Sequence, residues 1–127
     1  MKKYDPSRTP EGVQWLALDE QERLDLVRRY HRRHDRDLPN LAAHTAIHVV
    51  VENQIALQDE PVVKALTRLV KQGLSRHDAV HAIGTCVTEQ IFDLLREKDT
   101  PESSRARYYA AIERITAQAW LNSGENQ

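Results

Sequence analysis

The sequence predicts an all-α protein, a single-domain antiparallel helical bundle of about five helices with an irregular N-terminal arm. Apolar residues recur at helical spacing through most of the 127 residues. Helix caps and prolines divide the chain into segments joined by short connections. No segment has the alternation typical of a good strand. The length suits one domain, and the single cysteine excludes an internal disulfide.

We predict three parts along the chain, namely an arm over residues 1–18, a helical domain over residues 19–121 and a frayed tail over residues 122–127. Pro6 and Pro10 interrupt any early helix in the arm. The apolar side chains of Trp15, Leu16 and Leu18 are expected to hold the arm against the body.

Capping signals set the start of the first two helices. Asp19 is a good N-cap with Glu22 in the capping-box position, and this helix ends in the basic stretch Arg28–Arg36. Asn40 can cap a second helix over residues 41–57. Because that helix is apolar around most of its circumference, we expect it to be central and buried.

Three further helices follow, from 60 to a stop at Gly73, from 75 to about 97, and from 100 to about 121. Pro61 suits a first helical turn, and Gly73 suits the position after a helix end. Ser75 is an N-cap with Asp78 three residues later. Aromatic residues on the last helix predict either core packing or an oligomer face, and we expect a homodimer.

Charge and hydropathy exclude several classes of protein. The formal net charge is -1, so we expect neither a nucleic-acid partner nor a membrane surface as ligand. No apolar run reaches the roughly 18 residues of a spanning helix. The first residues lack the apolar segment of a secretory signal, which predicts a cytoplasmic protein. The stretch Arg28–Arg36 is either a phosphate contact or a solvated helix end.

Four of the six histidines form two pairs with the same spacing, His44 with His48 and His77 with His81. Residues four apart lie on one helix face, so two imidazoles can converge on one cation. Glu52 continues the first pair by a further four residues. The sequence therefore predicts a metal site with His44, His48, His77 and His81 as ligands and Glu52 as a ligand or an outer acceptor.

Nitrogen-rich ligands with a carboxylate suit Zn, Fe, Mn or Ni better than Ca or Mg. The alternative is a non-catalytic interaction module whose histidines form a structural hydrogen-bond network. A hydrolytic enzyme is a third hypothesis, for which Glu52 is the only candidate base, so no catalytic residue is assigned. We expect Cys86 to be a core residue and Gly84 to permit close helix contact near the histidines.

The segments from His44 to Glu52 and from His77 to His81 resemble those of a group of small bacterial proteins of unknown function. In that group two helices carry paired histidines, and the first is followed by a Glu-containing element like Val51-Glu52-Asn53-Gln54. The resemblance covers residues 38–97. It implies an all-α fold and draws attention to the same five residues, and it implies no established activity.

Overall fold

The computed structural model describes residues 1–34, 40–96 and 100–123 of the chain. This part of the chain forms seven helices and contains no strand: α1 Gly12–Ala17, α2 Glu20–His34, α3 Leu41–Ala56, α4 Glu60–Lys71, α5 Arg76–Leu95, α6 Pro101–Arg114 and α7 Ala117–Asn122. The all-α class is confirmed, and the expected number of five helices was too low. The antiparallel arrangement stays a prediction.

Helix α1 lies within the segment that was expected to be irregular. The Glu11 side chain caps it by accepting a hydrogen bond from the Gln14 amide at 2.7 Å. Trp15 is fully buried, as expected, and its Nε1 donates to Asn53 Oδ1 at 2.9 Å. Leu16 is exposed, so it does not help to hold the arm. Tyr4, Trp15 and the partly buried Leu18 hold the segment against the body.

Local capping explains where α2 and α5 begin. Asp19 and Glu22 form the predicted reciprocal box, with each side chain accepting from the other residue's amide at 2.8 and 3.0 Å. Ser75 Oγ accepts from the Asp78 amide at 3.0 Å. Asn40 precedes α3 in the left-handed region, with φ of 53°, and its side chain makes no capping bond within the described chain. Asn40 thus occupies the predicted N-cap position without the side-chain bond of a capping residue.

The predicted fifth helix is broken into α6 and α7 at Ile115 and Thr116. Arg68 of α4 donates to the backbone carbonyls of Ile112 and Ile115 at 2.6 and 2.9 Å, close to the end of α6. Gln72 accepts from the first amide of α7, that of Ala117, at 2.8 Å, and Thr116 caps the same helix. Because α4 satisfies backbone groups on both sides of the break, the two helices end and begin there.

Helix α3 lies at the centre, packed against α1, α2, α4 and α5. One apolar cluster fills the space between α3, α4, α5, α6 and α7, and a smaller one joins Tyr4 and Trp15 to α2 and α3. Gly84 permits the close contact of α5 with α3, since a Cβ there would lie 2.8 Å from Ile47 Cγ2. Cys86 is buried, as expected. None of the described helices could cross a bilayer.

Three sequence expectations fall partly outside the described residues. The basic stretch is described only to His34, so Asp35 and Arg36 lie outside it. The predicted end of the fourth helix near Glu97 also lies outside. The tail beyond residue 123 is outside as well, and the boundaries predicted at 18, 121 and 122 stay predictions.

Candidate metal centre

Five histidines meet where α2, α3 and α5 pack together. His31 comes from α2, His44 and His48 come from α3, and His77 and His81 come from α5. The ring centroids of His31 lie 4.6 Å from those of both His44 and His48. The His81 ring lies 4.6 Å from His44, 4.8 Å from His48 and 4.4 Å from His77. The two predicted pairs therefore lie side by side.

Four of these rings can direct one nitrogen each toward a common point. Nitrogens of His31, His44, His48 and His81 all lie within 4.8 Å of one another. Metal–nitrogen bonds of about 2.0–2.1 Å place cis ligand atoms about 3–3.4 Å apart, so small ring rotations would close the set on one ion. His77 lies outside this set but borders it, with its ring 5.3 Å from that of His48.

His31 is fully buried, and a backbone hydrogen bond fixes its tautomer. Its Nδ1 lies 2.9 Å from the carbonyl oxygen of Val27. A carbonyl oxygen only accepts, so Nδ1 carries the proton and donates. In the neutral ring the lone pair is therefore on Nε2, as in metal-bound histidines that donate their other nitrogen to the backbone.

A second set of hydrogen bonds fixes the tautomer of His48. The Tyr4 hydroxyl donates to Glu52 Oε2, so its oxygen accepts from His48 Nδ1, which is 3.1 Å away. The lone pair of the neutral His48 ring is therefore on Nε2. That atom is buried and has no hydrogen-bond partner among the described residues, and the same holds for Nε2 of His81.

Glu52 lies outside the convergent set of histidines and is held by Arg76. Both of its oxygens accept from the Arg76 guanidinium, Oε1 at 2.8 Å and Oε2 at 2.9 Å. Its side chain is fully buried, and that of Arg76 is 9% exposed. Burial lowers the pKa of Arg76, but the hydrogen bonds and charge of Glu52 raise it overall. Because Arg76 and Tyr4 engage both oxygens of Glu52, the geometry gives the hydrolytic hypothesis no support.

Burial favours the neutral form of two histidines of the cluster, His48 and His81. Loss of water, together with the neighbouring His77, His44 and His31, lowers the pKa of His81 to about 3. The pKa of His48 is well below its usual range for the same reason, with the neighbouring histidines, His81 foremost, adding to the effect. Neutral imidazole is the form that binds a metal ion.

A cavity of about 250 Å³ reaches the cluster between α3 and α5. His44, His48 and His81 line it on the inner side. Asn40 and Ala43, both exposed, lie at its rim. This cavity gives an ion or a small molecule a path to three of the four rings.

The predicted residues are brought together to different degrees. His44, His48 and His81 belong to the convergent set, His77 borders it, and Glu52 bonds to His48 through Tyr4. His31 was missed by the sequence analysis because it lies within the basic stretch of α2. A signal was present, because it follows the buried Val27 by four residues and so continues the apolar face of that helix.

The fold and the site define an all-helical protein, over the described residues, with a buried to half-buried histidine cluster between three helices. The chain belongs to the family described as a domain of unknown function, DUF1841, whose model matches residues 8–114. No curated protein and no solved structure matches the chain. The expected resemblance to a family of unknown function is thus confirmed at that level.

Proposed function

We propose that this protein binds one divalent transition-metal ion through His31, His44, His48 and His81. The observation that carries the proposal is the convergence of four ring nitrogens, from three helices, within 4.8 Å of one another. Helix packing alone does not require four imidazoles in this place. A buried polar atom without a partner costs about 1–3 kcal/mol, and a bound ion would offset that cost at His48 and His81.

The donor set favours particular metals. Imidazole nitrogens suit Zn, Fe and Ni, whereas Mn prefers oxygen ligands. Because Arg76 and Tyr4 bond both oxygens of Glu52, we assign this residue an outer role, in which it orients His48 through Tyr4. His77 borders the set and is a candidate for an additional nitrogen ligand. The metal ion would be held mainly by nitrogen.

Calorimetric titration of chelator-treated, untagged protein with Zn²⁺ tests the proposal. We expect one ion per chain. His48→Ala and His81→Ala should weaken binding by more than the roughly 10–100-fold that loss of an outer hydrogen-bond partner costs. His34→Ala is the matched control, because His34 is exposed and lies outside the convergent set. Its affinity should equal that of the wild type.

Circular dichroism should show that each variant is folded. Wild-type affinity in both His48→Ala and His81→Ala would refute the proposal. Equal losses in these variants and in His34→Ala would indicate nonspecific binding by histidine, which also contradicts it.

A second candidate function is an interaction module that forms a homodimer. Large apolar side chains are exposed near the end of α5, with Phe92 54% and Leu95 73% exposed. This hypothesis expects a dimer in sedimentation experiments that Phe92→Lys converts to a monomer. It also expects a melting temperature that chelator does not change, whereas the metal proposal expects the melting temperature to fall.

A further inference from the structure

A second cavity, distinct from that beside the histidines, lies between the N-terminal segment and α2. Its volume is about 590 Å³, within the roughly 300–1,000 Å³ typical of small-molecule sites. Its lining includes Lys2, Lys3, Asp5, Arg29 and Arg33. Tyr4 and Leu26 are buried and form an apolar floor.

The wall of this cavity carries an excess of positive charge. Lys2, Lys3, Arg29 and Arg33 each contribute a cation, against the single carboxylate of Asp5. That carboxylate already accepts from the amide and the hydroxyl of Ser7, at 3.0 and 2.6 Å. Within the described chain, no ion pair engages any of the four cations. The cavity is therefore suited to an anion.

The two arginines are placed to act together. Arg29 and Arg33 are four residues apart on α2, so they project from one face of the helix. A guanidinium offers paired N–H donors that match the oxygens of a phosphate group. Arg28 and Arg32 belong to the same basic stretch but do not line the cavity. The basic stretch thus divides into a cavity-lining pair and a pair outside the cavity.

We propose that this cavity binds a small molecule that carries a phosphate group on a compact apolar body. Arg29, Arg33 and the two lysines would bind the phosphate, and Tyr4 and Leu26 would contact the apolar part. A concave site with an apolar floor favours a small ligand over nucleic acid, which binds extended basic surfaces. The net charge of -1 also disfavours nucleic acid. This proposal does not depend on the metal proposal.

Calorimetry with three probes tests the two halves of the site. Phenyl phosphate carries both parts of the expected ligand, inorganic phosphate carries the anion alone, and phenol carries the ring alone. We expect phenyl phosphate to bind most tightly, and to bind equally with and without chelator, because none of the four proposed metal ligands lines this cavity. Equal affinity for phenyl phosphate and phenol would overturn the proposal.

Two double variants remove equal charge from neighbouring faces of α2. Arg29→Ala/Arg33→Ala should weaken phenyl phosphate binding by at least about tenfold, as expected for lost charged hydrogen bonds. Arg28→Ala/Arg32→Ala should stay within about twofold of the wild type, because those side chains lie outside the cavity. Equal losses in the two double variants would refute specific binding in the cavity.

A single-stranded oligonucleotide tests the alternative ligand, nucleic acid. We expect it to bind no more tightly than inorganic phosphate. If the oligonucleotide binds through Arg29 and Arg33 while phenyl phosphate does not bind, the cavity proposal is wrong and this surface is a nucleic-acid contact.

Discussion

Removal of the Arg76 guanidinium should destabilise the protein strongly. Arg76→Met keeps much of the side-chain length but leaves the fully buried Glu52 carboxylate with only the Tyr4 hydroxyl among its three hydrogen bonds. Isolating one charge of a buried pair typically costs about 3–5 kcal/mol in the free energy of unfolding. We therefore expect a loss of about that size, measured by urea unfolding with chelator present.

The double variant shows whether the loss comes from the unpaired charge. Glu52→Gln removes the carboxylate, so the combination with Arg76→Met should cost clearly less than the sum of the two single losses. Lys64→Ala is the control, because it breaks an ion pair with Glu60 whose side chains are 72% and 75% exposed. It should not change stability measurably. A loss below about 1 kcal/mol in Arg76→Met, or additive losses, would refute the reasoning.

Arg76 also fixes the segment that carries Tyr4. Its guanidinium donates to the carbonyl of Pro6 at 2.9 Å and to Thr9 Oγ1 at 3.0 Å. Arg76→Met should therefore increase cleavage of residues 1–11 by a protease at low concentration, before global unfolding. Unchanged cleavage would contradict this anchoring role.

Three further predictions concern stability and the outer contacts. Gly84→Ala should lower stability by up to about 2 kcal/mol, because the clash with Ile47 exceeds the gain in helix propensity, and Ile47→Ala should relieve it. Tyr4→Phe should weaken Zn²⁺ binding about 10–100-fold in calorimetry, since His48 loses its orienting partner, and no loss would contradict that role. The urea midpoint of metal-free protein should fall as the pH drops below about 6.5, because His48 and His81 bind protons in the unfolded chain but stay neutral in the folded protein. For a folded pKa of about 3, His81 alone contributes a loss of about 2 kcal/mol between pH 7.5 and 5, and a constant midpoint would refute this reasoning.

The sequence predicted the features that depend on neighbouring residues. The Asp19–Glu22 box and the Ser75 cap are local hydrogen bonds, so their residues suffice to predict them. The break at Ile115 depends on side chains from α4, more than 40 residues away. No local pattern within the last helix reports that contact, so one helix was predicted where two exist.

The candidate site also combines features set by neighbouring residues with contacts between residues that are distant in the sequence. Helical spacing alone placed His44 beside His48 and His77 beside His81. The outer contacts of Glu52 come from Tyr4 and Arg76, which are 48 and 24 residues distant. The spacing of Glu52 shows which helix face it shares, whereas its partners are set only by the packing of the N-terminal segment and α5 against α3.

Elemental analysis tests the metal proposal most directly. The protein should be purified untagged and without chelator, and the metal content measured per chain by mass spectrometry. We predict close to one equivalent of Zn, Fe or Ni in the wild type and in His34→Ala, and a near-complete loss in His48→Ala. A wild-type protein that is folded, free of metal and unable to take up Zn²⁺ would contradict the account and make the histidine cluster a structural network.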